Sequence, residues 1–170
     1  MDDIATALEA LGRKIGIRIE PDENGTCALE LADGRTLVVQ RRAGADELDF
    51  VATLGEVPEA ARAAVFERLL AANFYWKGTL GATLSWNAAL EEVVLIFPLP
   101  LADATPESVE TVFARFVDLQ SAWAARFAAL VAAARDIGPD ADDDDSGEDA
   151  ESGEAGTGGD AAKDNLIISP

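Results

Sequence analysis

Between residues 26 and 54, apolar side chains recur at every second position in three runs separated by turn sequences. Cys27, Leu29 and Leu31 alternate with Thr26, Ala28 and Glu30. Leu37 and Val39 lie on one face of the next run and Val38 on the other. Leu48, Phe50, Ala52 and Leu54 alternate with Asp49, Val51 and Thr53. A period of two puts each apolar set on one face of a half-buried strand. Asn24-Gly25 opens the first run. Asp33-Gly34 divides the first from the second, as expected of a hairpin turn whose two central residues take positive φ. Ala43-Gly44-Ala45-Asp46 makes a second turn. The three runs read as an antiparallel meander.

Helical periodicity flanks the meander. Ile4, Leu8, Leu11 and Ile15 fall on one helical face, and Gly12 and Gly16 weaken its end, so the first helix stops between Arg13 and Ile15. Pro58 suits the first position of a second helix, because its missing N–H is unneeded there. In that helix Ala61, Val65 and Leu69 form one stripe, with Phe66, Leu70 and Asn73 beside it. After Gly78 and Gly81, Ala82, Leu84 and Trp86 alternate into a fourth strand. Val93 to Phe97 is a fifth, ended by Pro98 and Pro100. Thr105-Pro106-Glu107 starts a last helix with a cap, a proline and an acid at the positive end of the dipole. One face of it carries Val109, Val112, Phe113, Phe116, Gln120, Trp123, Phe127, Leu130 and Ala134. The order is α-β-β-β-α-β-β-α. This is an α+β chain, with an antiparallel twisted sheet and helices packed on one side.

The composition breaks near Gly138. Residues 138–164 carry eleven acids and one base, and no Ile, Leu, Val or Phe occurs from 138 to 163. Such a segment cannot offset its ordering entropy by apolar burial. The expected division is therefore a folded domain over 1–137 and a disordered acidic tail over 138–170, ending in the apolar Leu166-Ile167-Ile168. Asp142 to Asp145 are contiguous, whereas a calcium loop needs alternating ligands and a central glycine, so no metal site is assigned there. The formal charge of the whole chain is −19. That argues against binding a phosphate backbone, and no nucleic-acid partner is expected. With no His and the single Cys27, the chain has no Ser-His-Asp or Cys-His system and no thiolate cluster. No cofactor, metal or catalytic residue is assigned. The acidic start, Met1-Asp2-Asp3, does not resemble a signal peptide, and no window reaches the apolar length of a membrane span. A lone cysteine fits a reducing cytoplasm.

Several local sequences resemble the class I type III secretion chaperones, the Tir-chaperone-like family. Leu69-Leu70-Ala71-Ala72-Asn73-Phe74 resembles that family's helix-ending LLxAN. Gly78-Thr79-Leu80-Gly81-Ala82-Thr83-Leu84 resembles its glycine-bearing approach to the fourth strand, and Leu99-Pro100-Leu101 its LPL after the fifth. Phe116-Val117 and Trp123 resemble the aromatic spacing of its last helix. Gly25-Thr26-Cys27 and Leu37-Val38-Val39 resemble its hairpin. The element order is shared, and the resemblance spans roughly residues 4–135. It implies a dimeric protein of the bacterial cytoplasm, without enzymatic activity. Its partner would be an extended segment near the N-terminus of a secreted effector, kept soluble and secretion-competent without ATP.

On this reading Leu8, Leu11, Leu29, Leu31, Leu37 and Val39 are candidates for the effector-binding surface, since extended peptides are held by strand edges and apolar pockets; periodicity does not say which of them point outward, and the stripe with Leu8 and Leu11 is most simply core. Ala61, Val65 and Leu69 form an apolar stripe that isologous pairing would bury. The resemblance places a homodimer interface on this helix and on Leu84 and Trp86 of the fourth strand. Asn73 reads as the cap or terminator of the second helix, and Cys27 as a small buried hydrophobe. Glu91-Glu92 read as turn charges. Phe74-Tyr75-Trp76 cannot all face one core, so at least one lies at a surface. Two other classes remain open: an acidic regulator whose tail mimics nucleic acid, and a carboxylate-based enzyme or metal protein. Loss of partner binding on deleting 138–170 would favour the first, and stoichiometric metal the second.

Overall fold

The computed structural model describes residues 2–136 except 17, 20, 24 and 32. The expectations for the acidic tail, its aspartate run and Leu166-Ile167-Ile168 lie outside the described residues. Eight elements follow in the expected order: α1 (Asp2–Ile15), β1 (Thr26–Glu30), β2 (Thr36–Arg41), β3 (Glu47–Glu56), α2 (Arg62–Asn73), β4 (Thr83–Asn87), β5 (Glu92–Pro100) and α3 (Pro106–Asp136). Short 3-10 turns at Glu59–Ala61, Phe74–Trp76 and Leu101–Asp103 join them. The strands form one antiparallel sheet in the order β1-β2-β3-β5-β4.

The period-two pattern sets which face is buried. Cys27, Leu29, Leu37, Val39, Leu48, Phe50, Ala52, Leu84, Val93 and Leu95 are buried on the face covered by the helices. α3 crosses that face, packing on β3 and β5, with α1 and α2 against it. Phe50 meets Phe116 of α3 at 6.1 Å between ring centroids. Thr105 caps α3 reciprocally: its Oγ1 accepts from the Ser108 N–H at 3.2 Å, and the Ser108 Oγ accepts from the Thr105 N–H at 2.9 Å. A bulge interrupts the β3–β5 register between Thr53 and Gly55. Gly55 has φ +136°, and a Cβ there would lie 3.3 Å from the Phe127 ring.

Three local expectations are corrected. Asp33-Gly34 is not a turn with two positive φ values. Of the pair only Gly34 is left-handed, at φ 82°, with its N–H bonded to the Leu31 carbonyl at 2.9 Å. This is the pattern of a longer hairpin loop with a glycine bulge. Pro58 has ψ 141° and precedes a 3-10 turn, so α2 starts only at Arg62. β5 continues through Pro98 and Pro100 instead of ending there. Pairing with β4 reaches only Ile96, so the missing N–H groups at 98 and 100 face a side with no neighbouring strand.

Candidate partner-binding surfaces

The largest exposed apolar groups cluster at the C-terminal end of α2 and the segment after it. Leu70, Phe74, Tyr75, Trp76 and Leu80 are each more than half exposed, Tyr75 most at 74%. Phe74 and Tyr75 meet edge to face, with centroids 4.5 Å apart. This segment is strained. Tyr75, Trp76 and Leu80 all have φ between 51° and 52°, a region bulky side chains avoid. Its backbone is nevertheless pinned. The Gly78 N–H bonds the Ala72 carbonyl at 3.1 Å, and the Trp123 Nε1–H donates to the Gly78 carbonyl at 3.1 Å. Gly78 fits because a Cβ there would meet Ala72 atoms at 3.0–3.1 Å. Beside this patch, Leu80, Phe97, Val112, Phe116 and Leu119 line an apolar groove of about 280 Å³ between β5 and α3.

The sheet's two edges differ. On β1, Thr26 turns its backbone outward: its N–H bonds Asp22 Oδ1 at 2.8 Å, and its carbonyl accepts from the Asp22 N–H at 2.9 Å. Outward and inward residues alternate in an antiparallel pair. Ala28 and Glu30 therefore present their N–H and C=O outward, with no strand beside them among the described residues. On β4, Leu84 turns outward, but both of its backbone groups bond the side chain of Asn73 at 2.9 Å.

The Tir chaperone protein (CesT) family model matches residues 6–124. The chain belongs to the Tir chaperone (CesT) family. Solved structures share its fold. A chain of the ExsC–ExsE complex matches with TM-score 0.60 at 20% identity, over 73% of this chain and 95% of that one. A chain of the HopA1–SchA chaperone–effector complex matches with TM-score 0.57 at 13% identity, over 71% and 91%. A chain of the heterodimeric ExoU–SpcU complex from the type III secretion system of Pseudomonas aeruginosa gives 0.53 at 24%, over 77% and 98%. At these identities the likeness establishes the fold. No curated protein sequence matches significantly.

The structure places most of the residues expected to bind partners inside the core of this Tir-chaperone-family chain. Leu8, Leu11, Leu29, Leu37 and Val39 are at most 2% exposed and form core, and only Leu31 is half-buried. The strand residues pack under the helices, and Leu8 and Leu11 are part of the α1 face that joins the same core. Ala61, Val65, Leu69 and Leu84 are buried too, so the stripe assigned to dimer pairing is already covered by the protomer itself. Trp86 is half-buried against Phe66, at 5.1 Å between ring centroids, with the Arg62 guanidinium 5.2 Å from its ring. Asn73 makes no side-chain cap on the following turn, and its amide bonds β4 instead. The one signal that did point outward was Phe74-Tyr75-Trp76, and all three are exposed.

Electrostatics add bracing rather than chemistry. Asp49 is buried and receives two bonds from Arg42, at 2.8 and 2.6 Å, while Glu47 also pairs with Arg42. The Asp49 carboxylate, chiefly through these bonds, raises the Arg42 pKa further. Burial, with the nearby Asp22 charge, pushes the Cys27 thiol up, as expected of an inert core cysteine. Among the described residues no group of His, Cys, Asp or Glu could hold a metal ion, and no helix is long and apolar enough to cross a membrane.

Proposed function

We propose that this chain is a type III secretion chaperone of the bacterial cytoplasm. It binds an extended segment near the N-terminus of a secreted effector and keeps it soluble and competent for export. The family match over residues 6–124 carries the reading. The open β1 edge gives it a mechanism: an extended segment adds as a sixth strand, bonding the outward groups of Ala28 and Glu30, with half-buried Leu31 beside it. Strand pairing and apolar burial are equilibrium interactions, so no ATP is required. The working form is a homodimer joined through Leu70, Phe74, Tyr75 and Trp76, which take the place of the buried stripe. The matched chains in chaperone–effector complexes support an effector as partner.

The test is co-expression with the N-terminal fragment of the protein encoded by the neighbouring reading frame. The two should co-elute, and the Ala28 and Glu30 amides should gain protection from hydrogen exchange in the complex. A fragment that stays insoluble and unbound counts against the chaperone reading. Protection elsewhere, with Ala28 and Glu30 unchanged, counts against the β1 site.

A further inference from the structure

Edge strands expose unpaired N–H and C=O groups, and folds blunt them in identifiable ways. In this sheet the two edges are treated unequally. Along β4 the outward residues are Leu84 and Trp86, and Ala82 precedes them with the same parity. Ala82 gives its N–H to the Thr79 carbonyl at 3.0 Å. Leu84 gives its N–H to Asn73 Oδ1 and receives Asn73 Nδ2–H at its carbonyl, each at 2.9 Å. Trp86 keeps both of its outward groups without a described partner, as does the Ala82 carbonyl, and the Trp86 ring lies against Phe66 and Arg62 of α2.

The two bonds at Leu84 are the pair a neighbouring strand would make with an outward residue. A carboxamide is the smallest side-chain group carrying both a donor and an acceptor spaced like a peptide group. Asp lacks the donor and Ser the planar pair, so the end of α2 supplies a one-residue substitute for a sixth strand. We propose that Asn73 closes the β4 edge in this way and thereby directs strand addition by an extended partner to β1 alone. The consequence for partner binding rests on the strand-addition reading above. The closure itself does not.

Hydrogen exchange on the full chain tests the closure first. The Leu84 amide should exchange about tenfold or more slowly than the Trp86 amide, the order expected for a made against an unmade hydrogen bond. Asn73→Ala should abolish the difference. If that variant fails to fold, Asn73→Leu, of similar size, replaces it. Equal rates at Leu84 and Trp86 in the wild type, or a difference that survives in the variant, overturn the proposal.

A synthetic octapeptide of alternating valine and threonine then probes direction. It should protect Ala28 and Glu30 in the wild type, and Leu84 and Trp86 as well in the Asn73 variant. A mere loss of packing would not create that second footprint. Protection of Leu84 and Trp86 by peptide in the wild type, or a folded variant that binds at β1 and gains nothing at β4, overturns the proposal. A peptide that protects neither edge of the wild type counts against strand addition, and the Leu84 exchange rate still decides what Asn73 does.

Discussion

Replacing Phe74 by Ser and Tyr75 and Trp76 by Asn separates the exposed patch from the buried stripe as the seat of pairing. Asn is chosen because both of the latter positions are left-handed at φ 51°, which Asn tolerates. The three aromatic side chains are 63%, 74% and 55% exposed. With about 200 Å² per ring system, they present roughly 400 Å² per protomer. At about 25 cal/mol per Å² that is a gross ~10 kcal/mol on full burial. Association consumes most of such a gain. If about a quarter survives, the triple variant loses roughly 5 kcal/mol per dimer, between about three and four orders of magnitude in the dissociation constant. The variant should still unfold cooperatively in urea, because no buried group is touched, and should lose only the concentration-dependent stabilisation that dimerisation supplies. Light scattering coupled to size exclusion, from 1 to 100 micromolar, reads the result. The wild type should be a dimer throughout and the variant a monomer. Val65→Asp provides the contrast: Val65 is 1% exposed, so a carboxylate there should unfold the protomer rather than release a folded monomer. A wild-type monomer, an undiminished dimer in the triple variant, or a folded monomer from Val65→Asp would each refute this assignment.

Gly55→Ala should cost about 2–4 kcal/mol in urea unfolding, since φ +136° is nearly closed to other residues and the new Cβ would press on Phe127 at 3.3 Å. A loss below about 0.5 kcal/mol would mean the bulge rearranges freely. The Arg35 side chain, donating to Asp33 at 2.8 and 2.6 Å, holds the Asp33 carboxyl below the usual carboxylate range. A depressed folded pKa adds stability that is present above the unfolded value, near pH 4, and is lost as pH falls through the folded value. Arg35→Met should therefore flatten the acid limb of the stability profile below about pH 4, and an unchanged limb in a pH series of melts would contradict the assignment.

The amino-acid sequence by itself determined the element order and the alternating apolar face of β1 and most of β3. Periods of two and of 3.6 are local consequences of backbone geometry, and the pattern from Cys27 to Leu54 or from Val109 to Ala134 needs no partner to be read. It also determined where α1 ends and where α3 begins, because Gly16, Thr105 and Pro106 act through neighbouring backbone groups. Local sequence also resembled the family that the profile match then established. What it did not determine was which apolar groups remain for a partner. A stripe such as Ala61, Val65 and Leu69 records that something covers it, and only packing shows the cover to be the protomer's own sheet and α3. Tertiary contact likewise decided the part played by Asn73. Its position suggested a helix end, and α2 does end there, but its side-chain bonds run to Leu84, eleven residues away and on another element. The left-handed backbone at Tyr75, Trp76 and Leu80 carries no glycine to announce it. It is held there by the Ala72 carbonyl and the Trp123 indole gripping Gly78, bonds that exist only once α2, β4 and α3 have come together.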